Sequence, residues 1–192
     1  MQKHKLVPLI LGVALLISAC ASKPSVEPTK IPPTKAAEKF VDVKTLSIKD
    51  VPSPGCPVTL PADPAFEAPE PYFATAPWPG FFWFGSEHLW TALQTNGVWE
   101  DLPKNPDGYT QKIMWWSSHY VLKDELEPAL VVFGRRLDAE APPLKFYGAT
   151  NAFAEDIGDA MLTGVDFPTI GCWEVTGQYK KTGLTFVVWI AP

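Results

Sequence analysis

The sequence predicts an all-β domain, a sandwich or barrel, over residues 56–192. Three observations predict it. From Cys56 onward aromatic and β-branched residues rise, and Gly, Pro, Asn and Asp interrupt them about every ten residues, the rhythm of short strands joined by turns. The closing stretch, "CWEVTGQYK" followed by "LTFVVWI", reads as two strands around a short turn. No stretch carries convincing helical periodicity, and the one candidate, "NAFAEDIGDAM" at 151–161, amounts to a single short turn. The whole chain of 192 residues fits one such domain plus extras. Its net charge of −5 argues against nucleic acid, which wants a clustered basic face. Its 21 prolines point to an unstructured segment, a loop-rich β domain, or both.

The extras come first. Lys3 and Lys5 precede the apolar run "LVPLILGVALLISA" at 6–19. That run is shorter than the roughly 20 residues a membrane-spanning helix needs. Pro8 and Gly12 weaken it further as a helix. A basic start, an apolar centre and a small-residue end make a secretory signal peptide over 1–19. Ile17-Ser18-Ala19-Cys20 resembles the lipobox of bacterial lipoproteins. In that family a diacylglycerol alkylates the cysteine thiol and the peptide is cut just before it. A thiolate is well suited to forming the thioether. Two or three acyl chains, at about 0.8 kcal/mol per buried methylene, anchor stably where one is marginal. The resemblance therefore implies lipidation at Cys20, the membrane as a partner, and a place on the outer face of the cell membrane or at the outer membrane. Ala21, in place of the aspartate linked with inner-membrane retention, permits the latter in a two-membrane bacterium. The alternative is an ordinary signal peptide with a chance cysteine.

Residues 20–55 are expected to form a tether. From 21 to 39 the chain is Pro, Lys, Ser, Thr and Glu with almost no large apolar side chain, too little to offset the entropy of ordering. "FVDVKTLSI", within 40–54, alternates weakly and is more ordered. Such a tether spans roughly 30 Å as a coil and up to about 90 Å extended.

Within the domain, "HLWTALQT-NG-VWE" sets two strand-like runs around Asn96-Gly97, the signature of a type I′ hairpin. "YTQKIMWW" (109–116) follows an Asp107-Gly108 turn. "ALVVFGRRL" (129–137) is a β-rich run closed by "DAEAPP", and "AMLTGVDF" (160–167) precedes Pro168. "CWEVTGQYK" (172–180), a turn over 181–183 and "LTFVVWI" (184–190) make a terminal hairpin. There Trp173 and Val175 share one face, with Cys172, Glu174 and Thr176 on the other. A last strand this apolar on both faces belongs inside a sheet and not at an exposed edge.

The chain has three cysteines. With Cys20 assigned to lipid, Cys56 and Cys172 remain. Two thiols in an oxidising compartment read as one disulfide, tying the start of the domain to its far end. Two buried free thiols are the alternative, and spacing does not decide the geometry.

Chemistry is sparse. His88 and His119 could join Glu87 at a metal, but no HExxH-type spacing appears, so no metal ligand and no cofactor is expected. Ser86-Glu87-His88 and Ser117-Ser118-His119 are neighbours in sequence, which does not build a triad, and no GxSxG elbow occurs. No catalytic residue is assigned. Asp156 and Asp159 flank Gly158 and could serve a glycosidase or calcium, though solvated loop acids account for them as well. Arg135 and Arg136 point to opposite faces of a strand, one pinned by a carboxylate such as Asp138 and the other facing water. The eight tryptophans say most. Trp115 and Trp116 are consecutive, so on a strand one faces in and the other out. "PWPGFFWFG" (77–85) is too aromatic and proline-rich to be buried throughout. Trp115, Trp116, Trp83 and Trp78 are therefore the candidate ligand-binding residues, an exposed platform that could stack on sugar rings or a partner.

"GRRLDAEAPPL" (134–144), "GVDFPTIGCWEVTG" (164–177) and "LTFVVWI" resemble a family of uncharacterised exported bacterial proteins, many of them lipoproteins. That family also has a "CPVT" start, here at 56–59, an "LWVxL"-like strand, here "LWTAL", and a "WWR" motif. The likeness covers nearly all of 56–192. One position departs: Ser117 stands where the family pattern has arginine. The resemblance implies an exported β-rich domain with Cys56 paired to Cys172, and no activity. The pattern "FP-x-x-GCW-x-V-x-G…LTFVV-x-I" is also similar to the closing strands of immunoglobulin-like sandwiches. The expected fold is thus all-β, an immunoglobulin-like β-sandwich after a signal peptide and a disordered tether. The expected function is a membrane-anchored cell-envelope lipoprotein displaying a non-catalytic interaction domain. Its partner would be a cell-wall glycan or an envelope protein, with no nucleic acid. Glycan binding through exposed tryptophans and, more remotely, envelope hydrolysis are the alternatives.

Overall fold

The computed structural model describes residues 52–72 and 77–192. The expected signal peptide, the lipidation expected at Cys20 and the expected tether up to residue 51 lie outside the described residues. The described part is a two-sheet, all-β sandwich of ten strands: β1 (Phe81–Ser86), β2 (Leu89–Gln94), β3 (Val98–Trp99), β4 (Lys104–Asn105), β5 (Gly108–Trp116), β6 (Val131–Arg136), β7 (Lys145–Ala154), β8 (Gly158–Phe167), β9 (Gly171–Tyr179) and β10 (Thr182–Ile190). The first sheet runs β1-β2-β5-β8-β7, with β4 paired to β5, and the second runs β3-β10-β9-β6.

Alternation along the strands builds the core between the sheets. Phe82, Leu89, Leu93, Ile113, Trp115, Met161, Val165 and Phe167 of the first sheet join Trp99, Val132, Trp173, Val175, Phe186, Val188 and Ile190 of the second in one buried cluster. Gly177 makes room for the largest of these rings. A Cβ there would come within 2.5 Å of the Trp115 indole, which is wholly buried. The terminal hairpin forms as the alternation predicts, with Trp173 and Val175 buried together and Tyr179 opposite Thr182. Its turn falls on Lys180-Lys181, where Lys180 takes φ 53°. β10 lies inside its sheet, between β3 and β9. The N-terminal segment also lies beside it, since Thr59 N–H donates to the Val187 carbonyl at 2.8 Å.

Two local expectations are corrected. Asn96-Gly97 does not close a hairpin: β2 belongs to the first sheet and β3 to the second. Type I′ needs positive φ at both central residues. Here Gly97 has φ 67° and Asn96 is not left-handed. The Asn96 side chain instead accepts the Val98 N–H at 3.0 Å, and β3 runs parallel to the end of β10, with Val98 opposite Trp189. "NAFAEDIGDAM" holds no helical turn within a helix. It is the end of β7, a tight turn and the start of β8, with Ala154 opposite Gly158. β7 escaped notice because its Ala, Gly, Asn and Thr residues carry little apolar alternation, and a register shift between Phe146 and Ala149 breaks what there is.

A second, smaller apolar layer lies on the outer face of the first sheet. Trp90 on β2 stands directly opposite Trp116 on β5. Both pack with Trp83, Ile157 and Ala160, and over them lie Phe66, Ala68 and Tyr72 of the segment 52–72. This segment is proline-rich and donates little to any ladder. It acts as a strap: its scattered large side chains cover a sheet face that would otherwise meet water.

Candidate ligand cavity

The strap does not seal the face completely. Where Pro69–Tyr72 passes the ends of β2, β5 and β8, it leaves a cavity of about 370 Å³. Trp90 and Tyr72 form one corner, their ring centroids 5.8 Å apart and their planes tilted by 59°. Ser117, Ser118 and Tyr120 enter from the loop after β5, and Gly158 and Asp159 from the start of β8. The loop is held by Ser117, whose carbonyl accepts the Tyr120 N–H at 3.0 Å and whose Oγ accepts the His119 N–H at 3.1 Å. Gly158 is required twice over. Its φ is 61°, and a Cβ would collide with the Tyr72 ring. Asp159 Oδ2 accepts the Leu122 N–H at 3.0 Å.

Two polar atoms here have no partner. The indole Nε1 of Trp90 and the hydroxyl of Tyr120 are, among the described residues, the buried side-chain N and O atoms without a hydrogen bond. Trp90 is 1% and Tyr120 5% exposed. Buried polar groups are normally satisfied, and leaving one unmade costs about 1–3 kcal/mol. Both residues border the cavity, but these two atoms point away from its open space into the packed interior. Burial, then the charge of Asp159 and Glu125, raises the Tyr120 pKa. Burial, then Asp159, likewise raises that of Tyr72. Both hydroxyls are neutral donors at any physiological pH. No basic side chain lines the cavity.

The aromatic platform expected at Trp115, Trp116, Trp83 and Trp78 does not form. Trp115 faces the sandwich core, donating Nε1–H to Thr163 Oγ1 at 3.1 Å. Trp116 faces outward as the alternation requires, but the strap layer buries it and its Nε1–H donates to the Ile157 carbonyl at 2.8 Å. Trp83 is buried edge-on against Trp116, 4.9 Å between centroids. Trp78 is half-buried and lines a separate groove of about 220 Å³. None of the four lines the cavity.

The other sequence candidates resolve into structure. Cys56 and Cys172 are bonded, Cα atoms 5.6 Å apart. Arg136 holds Asp138 with Nε at 2.7 Å and Nη2 at 3.2 Å, and Asp138 also accepts the Cys172 N–H. Arg135 is the one that faces water, and there it pairs with Glu174 at 2.8 Å. His88 and His119 stack, centroids 5.1 Å apart, and no group of three or more metal-ligating side chains converges among the described residues. Asp156 stays in the exposed turn while Asp159 lines the cavity, so the pair is divided. Trp90, Tyr120 and Tyr72 were not singled out by sequence, because missing partners are visible only in three dimensions.

A polar knot locks β4, β5 and β7 to β8. Asp166 is fully buried and accepts from Thr110 at 2.6 Å, Asn105 at 2.9 Å and the Tyr147 hydroxyl at 2.5 Å. Burial pushes its pKa up, but these three donors and the Lys145 charge outweigh it and hold the carboxylate below its ordinary range. A depressed carboxylate contributes stability that is present above the unfolded pKa of about 3.9 and lost as pH falls through the lower folded value. Asp166→Asn is expected to lower stability at neutral pH and to flatten the acid limb below about pH 4. Urea midpoints across pH measure this, and an unchanged acid limb would contradict it.

Compared with known proteins, the chain matches no protein-family model, no curated protein and no solved structure.

Proposed function

We propose that this is an exported, lipid-anchored cell-envelope protein whose β-sandwich binds a ligand without transforming it. The observation that carries the binding half is the cavity of about 370 Å³ between the strap and the ends of β2, β5 and β8, walled by the Tyr72–Trp90 corner and by Glu70 and Asp159. The Cys56–Cys172 bond supports an oxidising, exported setting, and the signal peptide and the cysteine at position 20 support the anchor. We further read the sandwich as immunoglobulin-like on the pattern of its closing hairpin.

Cys20→Ser is expected to move the protein from the membrane pellet to the soluble fraction. If the variant stays with the membrane, the anchor is elsewhere. For the binding half, a deproteinised envelope extract is expected to raise the Tm of the full chain by mass action, and Glu70→Lys, a change at an exposed wall residue, to weaken the rise. A Tm indifferent to the extract would contradict it.

A further inference from the structure

We infer that the groove beside Trp78 is a second binding site, for a small aromatic carboxylate. It is separate from the strap cavity and does not depend on it. β2 and β5 pair only at Trp90–Trp116 and Thr91–Trp115. Beyond that point β2 stays with β1 as far as Gln94, opposite Phe81, and then leads into β3 of the second sheet. β5 stays with β8, with Lys112 opposite Gly164 and Met114 opposite Leu162. The two strands are drawn apart, and the first sheet splits. Side chains take over where the ladder stops. The Thr91 hydroxyl donates to the Met114 carbonyl at 2.7 Å, and Gln111 Oε1 accepts the Lys112 N–H at 2.9 Å. A groove of about 220 Å³ occupies the split. Lys112 and Met114 from one face of β5 line it together with Gln111 and Ile113 from the other. It therefore opens between the strands and not on top of the sheet.

Its walls select a ring. Trp78, Phe81, Ala92 and Met114 are half-buried and so present surface to an occupant. Trp99 and Ile113, each 3% exposed, close the floor. Trp78 meets Phe81 edge-on, 5.7 Å between centroids, and a third ring has faces and edges there to pack on. The Met114 thioether favours an aromatic group over an aliphatic one. An apolar cavity of about 150 Å³ takes a benzene, so a groove of about 220 Å³ takes one ring with a short arm. The polar rim selects an anion. The Lys112 ammonium is exposed and has no carboxylate partner among the described residues. The Gln111 oxygen is taken by the backbone, which leaves its NH2 group, a donor. No acidic side chain lines the groove, so a cation finds nothing to pair with.

The test is a titration of the full chain, in polyoxyethylene micelles and labelled with ¹³C at the methionine methyls. The probes are phenylacetate, its neutral and cationic counterparts 2-phenylethanol and phenethylamine, and isovalerate as an aliphatic anion. The methionines are Met1, Met114 and Met161, and the groove signal is assigned by its loss in Met114→Leu. Phenylacetate is expected to shift the Met114 methyl saturably. The Met161 methyl, wholly buried in the core between the sheets, should stay in place. Lys112→Gln, a change at an exposed residue, should weaken phenylacetate roughly two- to fivefold, the size of an exposed charge pair, and leave 2-phenylethanol unaffected. If 2-phenylethanol or phenethylamine binds as tightly as phenylacetate, the site does not select an anion and the inference fails. If isovalerate binds as tightly, it does not select a ring and the inference fails again. If no probe moves Met114, or if Met161 moves with it, the groove is not a site. The strap cavity is tested apart from all of these, by the envelope extract and Glu70→Lys.

Discussion

Replacing Cys56 and Cys172 together by alanine is expected to destabilise the folded domain by about 3–5 kcal/mol. The bond closes a sequence separation of 116 residues, and by chain-entropy reasoning a loop of that size strongly constrains the unfolded chain. It also does local work. Cys56 begins the strap, and Cys172 is a buried residue of β9 beside the Arg136–Asp138 pair. Cutting the bond frees the start of the strap, leaving the Thr59–Val187 backbone bond, its reciprocal hydroxyl contact and the packing of Val58 against Gly97 to hold it nearby. Against a typical total of about 5–15 kcal/mol this is a large share. Denaturant midpoints of the double variant measure it, with oxidised wild type as reference. A loss under about 1 kcal/mol would mean that the strap and sandwich hold together without the staple.

Trp116→Ala should cost about 3–5 kcal/mol, as for other buried large-to-small changes at aromatic positions. Trp116 has no exposed surface, carries the edge contact to Trp83 and donates to Ile157. Its removal hollows the layer that the strap covers and leaves the Ile157 carbonyl without this donor. The strap, 52–72, should then become the first site of limited proteolysis. An outward-facing platform tryptophan would behave differently, since a surface substitution usually changes stability by about 0.5 kcal/mol or less. A change that small, with an unaltered proteolysis pattern, would put Trp116 at the surface.

The sheets were legible where a strand's two faces differ, even when its partner is far in sequence, as for β6 and β9 with Val131 opposite Gln178. The closing hairpin, β5, β6 and β8 all alternate cleanly or end at a turn with Gly or Pro. β3 was not legible in this way: Asn96-Gly97 looked like a hairpin, but the partner of Val98 is Trp189 at the far end of the domain. The two faces of Trp115 and Trp116 were read correctly, and what covers the outer one was not. Phe66, Ala68 and Tyr72 share a period of two, but Glu70 interrupts it and Pro64, Pro69 and Pro71 read as a loop, so the strap does not announce that it packs on a sheet. The cavity follows from that covering. Ser117, next to Trp116, falls on its wall.

The most direct measurement is the Tm of Tyr120→Phe without ligand. The variant keeps the ring, its contact with Tyr179 and its place in the core, and removes only the buried hydroxyl that has no partner. The account predicts a Tm equal to or above that of the wild type, because an unsatisfied buried group costs about 1–3 kcal/mol and its deletion relieves that cost. A Tm several degrees lower would contradict it: the hydroxyl would then have a native partner, and the packing of the loop after β5 against the core would differ from the one described.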